Sequence, residues 1–289
     1  MKQTIYLSLL ILCLAACSNR TKTIEVSVSN PSGFDRLADL VEIPLEEIKT
    51  RLPIEEGLAL EVRSSTGELI PSQLAYDGKL LFQPALKAGE SKDFTITTGE
   101  PQLYASKTSG RLVTERFDDF AWENDRVAFR LYASALMAKD GPSNGMDALY
   151  KRTENPVLDK WFKAYSEDGI SYHEDHGEGH DAYDVKRSLG AGAMAPYVKD
   201  TLWLNENFIA QEVLENGPLR TTFKLTYKDL NMDGRLVSEE RKVSLDAGSQ
   251  LSEITQIYGT QETLPVAAGI VKREGKDSVI YADDYVIYA

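Results

Sequence analysis

From Ile24 the chain alternates apolar and polar residues with a period of two, and it returns to that pattern along most of its length. Ile24, Val26 and Val28 fall on one side, and Glu25, Ser27 and Ser29 on the other. This period sends successive side chains to opposite faces of a strand. Val41 to Leu45, Leu58 to Val62, Leu80 to Phe82 and Phe94 to Thr97 continue the series. Ser64-Ser65-Thr66-Gly67-Glu68 reads as a hairpin turn. Phe120 to Tyr132 reads as strands about a charged turn at Glu123-Asn124-Asp125. Strands return at Phe208 to Leu214, Leu219 to Tyr227, Arg241 to Leu245 and Leu251 to Ile257. Helical period is rare, with Leu45 to Arg51 one short candidate. The pattern points to an all-β protein built as a large β-sandwich. Gly99-Glu100-Pro101 divides an N-terminal β unit, 24–100, from a main sandwich, 101–289. Residues 139–200 mix glycine, histidine, acidic residues and aromatics without clean period, and read as long functional loops.

The first residues read as a sorting signal. Lys2 supplies a positive charge, and the apolar run Ile5 to Leu14 is too short to span a bilayer comfortably. Leu14-Ala15-Ala16-Cys17 matches a lipobox, so 1–17 is expected to be a lipoprotein signal peptide with Cys17 lipidated, and 18–23 a tether. Membrane contact is then through the lipid anchor alone. The other cysteine, Cys13, lies inside the signal, which leaves the mature chain without a disulfide. Ser18-Asn19-Arg20 lacks early acidic residues of the surface-export kind, and the periplasmic side of the outer membrane is the expected location. At the other end, Val279 to Ala289 stops within an apolar, β-prone run, as expected of a chain cut short of its full length.

The net charge of −13 and the lack of a basic stripe exclude nucleic acid as a partner. A small anion can still be held by a local Lys/Arg cluster. The chain also carries 14 Tyr, 9 Phe and 3 Trp, residues that suit both strands and sugar binding.

All three histidines lie in Tyr172-His173-Glu174-Asp175-His176-Gly177-Glu178-Gly179-His180-Asp181. Gly177 and Gly179 make a helix there unfavourable. As a loop, the segment can gather imidazoles and carboxylates either for acid/base chemistry or for a divalent metal held by His173, His176 and Glu178. Downstream, Lys186 and Arg187 bring positive charge close by. If 181–186 is a strand, Asp181, Tyr183 and Val185 face one way. The Gly190/Gly192 turn permits close backbone approach to a ligand, or is a plain turn. Elsewhere, Asp229-Leu-Asn231-Met-Asp233-Gly234 followed by Glu240 has the spacing of a calcium loop. Its strand-like flanks predict a β-hairpin instead.

Tyr172-His-Glu-Asp-His-Gly-Glu-Gly-His-Asp-Ala-Tyr-Asp-Val-Lys and Leu189-Gly-Ala-Gly resemble the bacterial domain family of unknown function numbered 4861. So do Asn144-Gly-Met-Asp147 with Lys151-Arg152, Asn216-Gly-Pro-Leu-Arg220 and Leu245-Asp-Ala-Gly-Ser-Gln-Leu251. The likeness covers most of 24–289. It implies a galactose-mutarotase-like supersandwich and a lipoprotein or secreted protein of Bacteroidetes polysaccharide-degradation loci. It also implies an oligosaccharide dehydratase acting on uronic-acid-containing fragments. In the family the position of His180 is more often apolar, which favours His173 and His176.

Such a dehydratase takes the proton from C5 of a terminal uronate and expels the C4 hydroxyl. It must neutralise the carboxylate, supply a base and protonate the leaving oxygen. Lys186 or Arg187, or a metal on the histidines, could meet the carboxylate, and Trp161 could meet the sugar. His173 or His176 could be the base, and Tyr172 or Tyr183 the acid. Two other readings stay open. A glycoside hydrolase or polysaccharide lyase would draw carboxylates from Glu174, Asp175, Glu178 and Asp181. A non-catalytic glycan-binding lipoprotein would bind through Trp122, Trp161 or Trp203.

Overall fold

The computed structural model describes residues 22–272, 278–282 and 286–288. The expected signal peptide, both cysteines and the tether as far as Thr21 lie outside the described residues.

The N-terminal unit holds strands β1 (Ile24–Ser29), β2 (Val41–Pro44), β3 (Ala59–Ser64), β4 (Leu69–Ile70), β5 (Ser72–Leu74), β6 (Lys79–Phe82) and β7 (Ser91–Gly99), with one short helix α1 (Leu45–Lys49). They form two antiparallel sheets, ordered β1-β7-β3-β4 and β2-β6-β5. Alternate residues of both sheets close one core, which includes Ile24, Val62, Leu80, Phe82, Phe94 and Ile96. The expected hairpin turn is present, with Ser64 N–H donating to the Glu68 carbonyl.

The rest of the chain builds a larger sandwich. One sheet contains β8 (Thr108–Val113), β9 (Asp119–Asn124), β10 (Ala128–Leu131), then after helix α2 (Met137–Asp140) strand β11 (Asp147–Lys151), and after helix α3 (Leu158–Asp168) strand β12 (Gly179–His180). A three-stranded sheet uses β13 (Ala193–Val198) and β14 (Thr201–Leu202). The second large sheet is made by β15 (Ala210–Asn216), β16 (Arg220–Thr226), β17 (Leu230–Met232), β18 (Arg235–Asp246) and β19 (Ser252–Gly259). Strand β20 (Val266–Gly269) joins β13, and β21 (Val279–Tyr281) pairs with β22 (Val286–Tyr288). The protein is therefore an all-β sandwich with few helices.

The two large sheets meet through Phe120, Trp122, Phe129 and Leu131 on one side and Phe223, Leu225, Val243 and Leu245 on the other. Phe120 stacks on Phe223 at 4.1 Å between ring centres. Trp122 is wholly enclosed in this core, which removes it as a glycan-binding surface.

Strands β9 and β10 are buried on both faces. Phe129, Leu131 and Ala133 enter the sandwich core. Ala128, Arg130 and Tyr132, one residue out of phase, face the opposite way. That outer face is covered by α3 and the histidine loop through Ala121, Ala128, Val157, Leu158, Phe162 and Tyr172. The α3 helix corrects the expectation that 139–200 holds only loops between strands. Its buried residues Leu158, Trp161 and Phe162 follow the helical spacing i, i+3, i+4. Glu123 accepts from the N–H groups of Val157 and Leu158 at its start, where a carboxylate complements the helix dipole. Gly169 ends it in the left-handed conformation.

Two further expectations resolve. Met232 pairs with Arg235 across the two-residue turn Asp233-Gly234, both at positive φ, so the calcium-like spacing belongs to a tight hairpin. Residues 181–186 form no strand, and Lys186 sits at φ +50°.

Candidate active site

The outer face of β9, β10 and β11 carries a buried charge cluster. Arg130 lies directly opposite Asp147 in the strand pairing. Its Nη2 donates to Asp147 Oδ2 at 2.6 Å and to Asp181 Oδ2 at 2.8 Å. Arg116 pairs with Asp119, the residue that starts β9. Burial pushes the Asp119 carboxyl up to about 6, against the pull of Arg116 and Arg130. Burial likewise pushes Asp147 up, Arg130 opposes it, and the charge of Asp181 adds to the rise. Burial also drives the Tyr132 phenol upward, and that phenol donates to Asp147 Oδ2 at 2.6 Å. Tyr132 therefore stays protonated and serves the cluster as a donor.

Above this floor opens a cavity of about 800 Å³. Its walls bring together five of the expected residues: Tyr172, His173, Tyr183, Lys186 and Arg187. His173 Nδ1 lies 3.2 Å from the Asp181 carbonyl oxygen and 3.5 Å from Asp181 Oδ2. Both neighbours accept, so Nδ1 is the donor and Nε2 is left as the basic nitrogen. Asp181 is itself held by Arg130, which fixes the imidazole through two links.

Tyr172 is buried, and its phenol oxygen accepts from Arg116 Nε at 2.6 Å and from Arg130 Nη1 at 3.2 Å. Negative charge developing on that oxygen as its proton leaves is met by two guanidinium donors. Arg187 is anchored by its own donors to the carbonyls of Asn205 and Leu204, each at 2.6 Å, and pairs with no carboxylate among the described residues. Lys186 differs, since Asp184 holds its ammonium at 2.8 Å. Five cations and three carboxylates line the cavity, against the acidic balance of the whole chain.

The remaining expected residues lie elsewhere. His176, Glu178 and Trp161 line a separate cavity of about 240 Å³ between α3 and the histidine loop. His176 Nε2 bonds the Ser171 carbonyl, and Glu178 pairs with Lys160. The metal set of His173, His176 and Glu178 is thus not assembled, and no group of three or more His, Asp or Glu among the described residues is arranged to hold a metal ion. His176 is likewise removed as a base in the main cavity. His180 pairs with Tyr150 in the strand ladder and stays out of both linings.

The loop shape comes from Asp175, whose Oδ1 accepts from Gly177 N at 2.7 Å and Gly179 N at 3.1 Å while Arg152 holds Oδ2. These bonds hold its carboxyl down at about 2. Gly179 has φ +111°, and a Cβ there would lie 1.9 Å from the Tyr150 carbonyl oxygen, so only glycine fits. The Gly190 turn is used the same way, against the backbone of Met146 rather than against a ligand.

The acidic residues weighed for glycoside hydrolysis do not face one another across a single cavity. Glu174 and Glu178 line the smaller one, Asp181 the larger, and Asp175 neither. Sequence reading missed Arg116, Arg130, Tyr132 and Lys139 as parts of the main cavity, and Asp119 and Asp147 beneath it. A signal for Arg130 was present: a lone cation within the apolar run Ala128 to Tyr132 marks a buried charge that needs carboxylates nearby.

An uncharacterized protein, P7, of Formosa agariphila is 31% identical over 273 residues, covering 88% of this chain and 68% of that protein. A solved structure described as a protein in glycosyl hydrolase family 38 from Enterococcus faecalis aligns with a TM-score of 0.49 at 10% identity. That alignment covers 94% of this chain and 35% of the other, so the chain spans about a third of its length. The model of the domain of unknown function DUF4861 matches residues 28–289, and the chain belongs to that family.

Proposed function

We propose that the protein is a carbohydrate-active lyase that dehydrates the terminal uronic acid of an oligosaccharide, and that the 800 Å³ cavity is its active site. The observation that carries this reading is the pairing of two proton-transfer groups in one cavity: a histidine fixed through Asp181 and a tyrosine backed by two arginines. The family resemblance supplies the class of substrate.

In this reading Arg187 binds the substrate carboxylate, because its guanidinium is rigid and lacks a carboxylate partner. Neutralising that carboxylate makes the C5 proton removable. His173 Nε2 takes the proton, the C5–H electron pair becomes the C4=C5 double bond, and the C4–O bond breaks. Tyr172 gives its proton to the departing oxygen, so water leaves, and Arg116 and Arg130 stabilise the resulting phenolate. No described residue accepts the Tyr172 proton in the resting site, which leaves it available. Tyr183 stands in the same lining as a second donor. Lipid anchoring at Cys17 on the periplasmic side of the outer membrane belongs to the same proposal, and would keep the enzyme where fragments arrive.

The test is incubation of the purified mature protein with a panel of uronic-acid oligosaccharides, followed by mass and ultraviolet spectra. A product lighter by one water and absorbing as a conjugated alkene supports a dehydratase. Cleaved fragments would mean a hydrolase or lyase, and binding without turnover a glycan-binding protein.

A further inference from the structure

The smaller cavity lies directly beside the proposed active site. Tyr172 belongs to the walls of both, and α3 presents Tyr165 to the larger and Trp161 and Ala164 to the smaller. Tyr165 and Tyr172 rings lie 5.0 Å apart, so one aromatic partition separates the two spaces. The smaller cavity has an apolar floor of Trp161, Ala164 and Ile170, and a polar rim of Lys160, Glu174, His176 and Glu178. An apolar floor with a few placed polar groups is the usual form of a small-molecule site. A pyranose ring matches it, with C–H faces for the floor and hydroxyls for the rim.

The rim also selects. Glu178 is paired with Lys160 at 2.7 Å, which offsets its charge. Glu174 has no cationic partner among the described residues, and its carboxylate adds net negative charge. An acidic sugar would be repelled there, whereas a neutral sugar offers hydroxyl donors to Glu174. The His176 ring donates through Nε2 to the Ser171 carbonyl, which leaves Nδ1 to accept from a hydroxyl.

We infer that this cavity is the subsite for the sugar next to the terminal uronate, and that it takes a neutral ring. The substrate is then a uronate linked through C1 to a neutral sugar, not a run of uronates. This rests on the reading of the larger cavity as a uronate site.

The test is calorimetry on the mature protein with three probes: methyl β-glucuronide, a glucuronosyl–neutral hexose disaccharide, and a diglucuronide. The expected result is about tenfold tighter binding of the mixed disaccharide than of the methyl glycoside, with no such gain for the diglucuronide. In Ile170→Asp and His176→Ala, both at solvent-facing positions, the mixed disaccharide should fall to the level of the methyl glycoside measured on the same variant. Equal binding of the mixed disaccharide and methyl glycoside by the wild type overturns the subsite and leaves the uronate site standing. A gain that survives Ile170→Asp also overturns it. If no probe binds, the uronate site falls and the subsite with it.

Discussion

His173 and Asp181 form a clamped pair: the imidazole Nδ1 touches both the carbonyl and the carboxylate of Asp181, and Arg130 holds that carboxylate from below. Loss of the base is therefore separable from loss of the fold. His173 is more than half exposed, so His173→Ala should leave the melting temperature within about 2 °C of wild type. Turnover should drop about 100-fold or more, the usual weight of a general base. His176→Ala should keep turnover of a minimal uronide within about twofold. Equal losses in both variants would return the choice of base to the sequence alone.

Tyr172→Phe separates proton donation from packing. The ring still fills its place against Phe162 and Tyr165. The lost oxygen leaves Arg116 Nε without its phenol partner, at a cost of ~1–2 kcal/mol in stability. The proposed role predicts a fall in kcat of about 100-fold with KM little changed. Unaltered kcat would move the acid role to Tyr183.

Among the described residues, Arg130 is the one cation shared by Asp147 and Asp181. Arg130→Met strands both carboxylates in a buried place and should destabilise the fold by ~3–5 kcal/mol. Chemical denaturation measures this. A change below about 1 kcal/mol would show that the cluster rearranges without it.

The raised carboxyl of Asp119 makes stability depend on pH. Its folded value, about 6, exceeds the ordinary 3.8. The protonated form is thus favoured by folding, and the gain is full below about pH 4 and lost as pH rises through 6. The gap corresponds to ~3 kcal/mol. Thermal melts between pH 4 and 7.5 should show a steeper decline for wild type than for Asp119→Asn, which cannot titrate there. Parallel curves would contradict the assignment.

Much of the frame was legible because period-two alternation is a local signal. The strand stretches around Ile24, Phe94, Phe223 and Val243 each announce themselves by alternation. The helix α3 was overlooked although Leu158, Trp161 and Phe162 carry helical spacing, because glycines and acidic residues nearby suggested loops throughout. Candidate residues clustered in one stretch, Tyr172 to Arg187, stand out by residue chemistry. Their division between two cavities does not, since it depends on how the Asp175 loop turns over α3. Arg130 and Asp147, 17 residues apart, meet only through strand register.

The role of His173 in dehydration is read by mass spectrometry from turnover of a glucuronosyl oligosaccharide by wild type and His173→Ala. Wild type should give a product lighter by one water with an intact chain, and the variant almost none. A product split at the glycosidic bond, or equal dehydration by both proteins, would contradict that role.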